Sequence, residues 1–305
     1  MTVSMTRALL LISLAAALAG ARAAEAKVQV VTTVQTFRSL AEEVGGDAVT
    51  ATALVGPNVD PHFVQPKPSY ALVLNKADLL VQVGLQLEVG WLPPIIASSR
   101  NPRIQSGEPG NLDASSCGID VRDQGQSVSR SQGDVHPMGN PHFWLLPANA
   151  IKVARCLAAR LEQIDHPNAA RYQSNLDKLV ARIERSEKTW LDQARALRGK
   201  KVVTYHKSWG YLTSWLGMEE IGYVEPKPGV PPDPQHLAQL TRSARAQGAT
   251  CVISESFYPQ NTSSRVAEMG GMKLAVIPSD AGSGGIKDYF ALVDHVIAQL
   301  ASDCR

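Results

Sequence analysis

The stretch Val28-Gln29-Val30-Val31-Thr32, then Phe37-Arg38-Ser39-Leu40-Ala41-Glu42-Glu43-Val44, Gly45-Gly46 and Ala48-Val49-Thr50-Ala51-Thr52-Ala53-Leu54-Val55, decides the fold class. The first run is short and β-branched. The second carries apolar residues at helical spacing, and the paired glycines stop it before a second strand from Ala48 to Val55. Strand, helix and strand in this order form the unit of a parallel sheet covered by helices. Further on, Ser69 is placed to cap a helix through Asn75, and Asp78 to Val83 reads as a buried strand ended by Gly84. The alternation returns from Lys200, with a strand Lys201 to Tyr205, a helix to Leu216-Gly217, a proline-rich loop, and a helix Gln235 to Gln247. Strands Cys251 to Ser254 and Leu274 to Pro278 and a closing helix Ile286 to Leu300 follow. The expected fold is α/β: two lobes, residues 25–164 and 200–305, each a mainly parallel sheet flanked by helices.

Between the lobes, Asp165-His166-Pro167 opens the longest helical pattern, in which Tyr172, Leu176, Leu179, Ile183, Trp190 and Leu197 repeat until Gly199. A helix over 165–199 would be about 50 Å long at 1.5 Å per residue, so it is expected to join the lobes as one rigid linker. Residues 101–140 differ: Ser, Gly, Asp, Gln and Arg dominate and periodicity fades, so the segment reads as a long loop or a partly ordered insertion. Asp134 and its single histidine, His136, read as ordinary loop residues or as groups in transient contact with a bound ion. Helical spacing resumes from Ala150 to Ile164.

Residues 1–24 hold Arg7, an apolar run Ala8 to Ala19 and the small residues around Ala21-Arg22-Ala23-Ala24, the pattern of a cleavable export signal. The run is too short to cross a bilayer, and no later run is longer, so a soluble protein outside the cytoplasm is expected. Removing Arg7 and Arg22 from 30 Lys and Arg leaves 28, equal to the 28 Asp and Glu, so bulk charge argues against nucleic-acid binding. An exported chain with four cysteines suits disulfides. Of the three connectivities, Cys251–Cys304 with Cys117–Cys156 keeps both bridges within a lobe; no C-x-x-C spacing supports a zinc-thiolate site.

Four residues stand where an apolar run gives way to turn residues. They are His62 in Asp60-Pro61-His62-Phe63, His142 in Asn140-Pro141-His142-Phe143-Trp144-Leu145, His206 in Thr204-Tyr205-His206, and Asp280 in Pro278-Ser279-Asp280-Ala281-Gly282. Ligands of open parallel sheets bind beyond the carboxyl ends of the strands, and these positions, with Glu255, can converge on a cleft between the lobes. A lone histidine of this kind ordinarily caps or packs; three together point to a metal. Three imidazoles and a carboxylate suit Zn²⁺, with Mn²⁺ as the alternative. Glu255 reads as a group orienting an imidazole, or as the fourth ligand in place of Asp280; Asp60 and Glu225 could orient imidazoles or cap turns. His166, His236 and His295 read as capping or packing residues.

These motifs, with Pro66-Lys67-Pro68-Ser69 and the long helix between them, resemble the cluster A-I metal-binding proteins of bacterial ABC importers, a family of periplasmic zinc- and manganese-binding proteins, over essentially the whole mature chain. The resemblance implies a metal site of His62, His142, His206 and Asp280, with His206 favouring zinc. It implies a monomeric solute-binding protein rather than an enzyme, working in the periplasm with an inner-membrane permease and its cytoplasmic ATPase. Zinc-binding members often carry a histidine- and acid-rich loop before the second ligand. This chain has only His136 there, which leaves open delivery of the ion by a metal-donor protein. The competing expectation is a zinc hydrolase with a three-histidine site and Glu255 as base; no H-E-x-x-H motif supports it.

Overall fold

The computed structural model describes residues 26–124, 136–227 and 229–305; the export signal expected over 1–24 and Asp134 lie outside them. Two four-stranded sheets are built, both wholly parallel. The first contains β1 (Val28–Thr32), β2 (Val49–Ala53), β3 (Leu79–Gln82) and β4 (Asn111–Asp113) in the order β2-β1-β3-β4. The second contains β5 (Lys201–Thr204), β6 (Glu219–Tyr223), β7 (Cys251–Glu255) and β8 (Lys273–Ile277) in the order β6-β5-β7-β8. One strand order is thus used twice. The central strands explain why: Leu79, Leu80 and Val81 of β3 and every residue of β7 are buried, as strands covered by helices on both faces must be.

Helices α1 (Gln35–Gly45), α2 (Pro68–Asn75), α3 (Leu92–Ser99) and α4 (Pro147–Ile164) accompany the first sheet. The second has α6 (Gly210–Trp215), α7 (Pro234–Gln247), α8 (Gln260–Gly270) and α9 (Tyr289–Asp303). Gly46, at φ 54, ends α1 with its N–H on Glu42 O. Ser69 does not cap α2: the helix starts at Pro68, after an extended Lys67, and Ser69 lies inside the first turn.

The stretch 101–140 is partly ordered, one of the two forms expected: β4 pairs with β3 there, although only Leu112 of its three residues is buried, too little to make a period. Two further expectations are corrected. The edge strand β6 stands where only loop was expected, because its Glu219-Glu220 start leaves no continuous apolar run. The long helix α5 spans Ala169–Gln193, 25 residues, or about 38 Å, instead of 165–199. Tighter 3₁₀ turns, His166–Asn168 and Arg195–Leu197, flank it, and Pro167 falls in the first of them.

Helix α5 still meets both halves. It packs on α1, α4 and α9; Asn175 Nδ2 donates to Val44 O at 3.1 Å, and Trp190 Nε1 donates to Asp294 Oδ1 at 2.5 Å. One hydrophobic core consequently runs from Val30 and Phe37 through Tyr172, Ile183 and Trp190 to Leu292 and Leu300. Among the described residues, no helix is long and apolar enough to cross a membrane.

Both expected disulfides are formed. Cys117–Cys156 ties the turn after β4 to α4, and Cys251–Cys304 ties the start of β7 to the end of α9. The second closes a loop with a sequence separation of 53, and Thr250 Oγ1 donates to Cys304 O beside it at 2.9 Å. Replacing both residues, Cys251→Ser with Cys304→Ser, is expected to destabilise the protein by about 2–5 kcal/mol; urea unfolding of the variant against the parent measures it.

Candidate metal centre

His62 follows β2 on a loop stiffened by Pro61, His206 leaves the carboxyl end of β5, and His142 precedes α4. Each offers one ring nitrogen to a common point, and those three nitrogens lie within 4.8 Å of one another. The rings are evenly spaced, with centroids 5.1 Å apart for His62–His142, 5.2 Å for His62–His206 and 5.1 Å for His142–His206. All three are buried.

What aims them is a repeated local device. In Asp60-Pro61-His62, Asp60 Oδ1 accepts the His62 backbone N–H at 2.9 Å and faces His62 Nδ1 at 2.6 Å. In Asn140-Pro141-His142, Asn140 Oδ1 accepts the His142 N–H at 3.0 Å and faces Nδ1 at 2.8 Å. An Asx side chain that bonds its own backbone two residues on makes a tight turn; here the same oxygen also takes the imidazole. His206 obtains the equivalent bond from Glu225, beyond β6, at 2.9 Å from Nδ1. With each Nδ1 against an acceptor, the proton belongs on Nδ1 and the Nε2 lone pair points inward. The Nε2 atoms of His142 and His206 are buried without a hydrogen-bond partner, an arrangement that costs free energy unless something fills it.

Burial, helped by the neighbouring imidazoles, holds His142 well below the ordinary histidine range, so it stays neutral as a ligand must be. Burial pushes Asp60 upward, but its hydrogen bond to His62 and the charge there outweigh this and leave it below the usual carboxylate value. The cavity between the rings measures ≈ 10 Å³, about enough for one water-sized occupant.

The structure leaves Asp280 and Glu255 outside the group of three nitrogens. The Asp280 carboxylate accepts from Gln35 N at 2.8 Å, Thr36 N at 2.7 Å, Thr36 Oγ1 at 2.6 Å and Ala281 N at 3.0 Å. It caps α1, whose own N-cap, Val34, has no side chain able to do so. Burial raises its pKa in spite of these bonds. Glu255 lines the same cavity as the three rings; one of its oxygens accepts the Ser208 hydroxyl, the other is buried without a hydrogen-bond partner, and burial pushes its carboxyl up to about 8. Asn140 was not singled out from sequence, although the Asx-Pro-His spacing that it shares with Asp60 was a usable signal. His136, for which both a plain loop position and a transient contact at the site were open, stands against His62, ring centroids 5.2 Å apart.

The chain matches the family described as zinc-uptake complex component A, periplasmic, over residues 30–303. The high-affinity zinc uptake system protein ZnuA of Yersinia pestis is 23% identical over 288 residues, covering 91% of this chain and 90% of that protein. Its counterpart from Bacillus subtilis (strain 168) is 24% identical over 256 residues, covering 82% and 78%. A crystal structure of ZnuA is similar with a TM-score of 0.76 at 23% identity, covering 92% of this chain and 100% of that one. At that identity the structural likeness shows the fold alone.

Removing an acceptor behind an imidazole frees its ring to turn. Asp60→Ala and Glu225→Ala are each expected to weaken zinc binding about 10- to 100-fold, read by competition with a chromophoric chelator; unchanged affinity in both would mean that these carboxylates do not orient the site.

Proposed function

We propose, from the premise that this chain belongs to the family of periplasmic zinc-uptake complex component A proteins, that it captures Zn²⁺ in the periplasm and delivers it to an ABC-type importer. The observation that carries the proposal is the inward set of His62, His142 and His206 nitrogens, drawn from both lobes and each backed by an oxygen acceptor. Three neutral imidazoles suit Zn²⁺. Mn²⁺ favours more oxygen, and three of the carboxylates near the centre are engaged elsewhere, Asp60 and Glu225 behind imidazoles and Asp280 on α1. Zinc therefore ranks above manganese.

The partners under this proposal are an inner-membrane permease with its cytoplasmic ATPase, and optionally a protein that donates the metal. The protein acts as a monomer. An export signal over residues 1–24 would bring it to the periplasm. The hydrolase reading lacks support: a cavity of ≈ 10 Å³ has no room for an organic substrate beside the ion.

Isothermal titration of the metal-stripped mature protein tests the proposal. One zinc per chain, weaker manganese binding, and a loss in His206→Ala larger than the roughly 10- to 100-fold of the orienting residues are expected. Manganese bound more tightly than zinc would move the function to manganese import, and a parent-like His206→Ala would show that the ion binds elsewhere.

A further inference from the structure

The turn that aims His142 is itself held from the second lobe. Asn140, whose side chain faces His142 Nδ1, accepts at its backbone carbonyl the hydroxyl of Tyr211, in the first turn of α6, at 2.9 Å. The same hydroxyl accepts Arg122 N at 2.9 Å, and Asn140 N donates to Arg122 O at 2.8 Å. Residues 122 and 140 are therefore joined twice, once directly and once with the Tyr211 hydroxyl standing between an N–H and a carbonyl. A phenol fits that place because it donates one hydrogen bond while accepting another. Gly139 allows the close approach: it has φ 118, and a Cβ on it would stand 2.2 Å from Val121 Cγ1 and 2.9 Å from Arg122 O.

The ring of Tyr211 is engaged as well. Phe143, on the other side of His142, meets it edge-on with centroids 6.5 Å apart, and the Arg122 guanidinium lies 5.8 Å from its centroid. Tyr211, Asn140 and Phe143 are all buried, so Tyr211 grips the chain before and after the ligand where water does not readily take its place. Asn140 Nδ2 also donates to Lys207 O, next to His206, at 2.8 Å. Residues 206–211 of the second lobe thus supply one imidazole themselves and hold the residue that orients another. His62 differs, since its acceptor, Asp60, belongs to its own loop.

We propose that Tyr211 is a positioning residue for ion capture, which acts through Asn140 to set His142 against His206. The proposal rests on the zinc-binding reading of the centre. It ties His142 to the contact between lobes: a small shift of α6 withdraws the Tyr211 hydroxyl and the Lys207 carbonyl together and frees Asn140, while His62 keeps its acceptor.

Tyr211→Phe keeps the ring and removes the hydroxyl. Zinc affinity by chelator competition is measured on metal-stripped mature protein for the parent, Tyr211→Phe, Asn140→Ala and the double variant, with urea unfolding of each as a separate reading of stability. The imidazole N–H proton resonances of the metal-free parent and Tyr211→Phe are compared. An affinity loss of about tenfold in Tyr211→Phe is expected, with little further loss when it is added to Asn140→Ala. The His142 Nδ1–H resonance is expected to shift or broaden while those of His62 and His206 stay in place. Losses that add in the double variant, or a parent-like affinity with an unmoved His142 resonance, would overturn the proposal and leave Tyr211 as a packing residue of the lobe contact. Failure of the underlying reading looks different, with no tight zinc binding by the parent.

Discussion

An imidazole can be aimed at an ion only if its other nitrogen is held, and the centre depends on three such bonds. Asp60, Asn140 and Glu225 each set an oxygen against Nδ1 of their histidine, which fixes tautomer and ring orientation before any ion arrives. Two of the three acceptors are carboxylates. They stand behind His62 and His206 and can balance the double charge of a divalent ion through the rings, without giving up oxygen atoms to it. A nitrogen shell that is neutral in itself is thereby compatible with a buried cation, whose transfer from water would otherwise be prohibitive. The proposed preference for zinc follows from keeping acid in the outer layer and imidazole in the inner one.

The lobes are held together around this point by contacts that cross between them. Asp280, after β8, caps the first turn of α1; Trp144 Nε1 donates to Ser279 O at 2.7 Å, Asn140 Nδ2 to Lys207 O at 2.8 Å, and the hydroxyl of Ser256 to Asn58. A carboxylate at a helix N-terminus gains both from the free N–H groups and from the helix dipole. Behind the cleft, α5 belongs to a core continuous through both halves. Such a frame resists wide hinge closure and favours small local shifts.

The two-lobed α/β fold was legible because the central strands are continuously apolar and the helices between them periodic; Val28–Thr32 was read to the residue. What escaped were elements with too little burial to make a pattern: β4, with one buried side chain, and β6, which starts with two glutamates. The long helix was overestimated because apolar spacing persists through Leu197, while the backbone tightens into 3₁₀ turns at either end. At the site, the three histidines were legible from their common place after apolar runs. Asp280 shares that place and differs in partners. Nothing local to Asp280 reveals that α1 begins with Val34, a residue unable to cap, and that the missing cap comes from 244 residues away. Long-range satisfaction of a helix end has no periodic signature.

The same asymmetry bears on the fourth coordination position. To bind an ion, Asp280 would have to turn away from Gln35 and Thr36, giving up hydrogen bonds to a charged group, each worth about 1.5–3 kcal/mol, and leaving the first turn of α1 open. Metal capture would then be tied to a rearrangement of the contact between lobes, and every exchange of the ion would carry that cost.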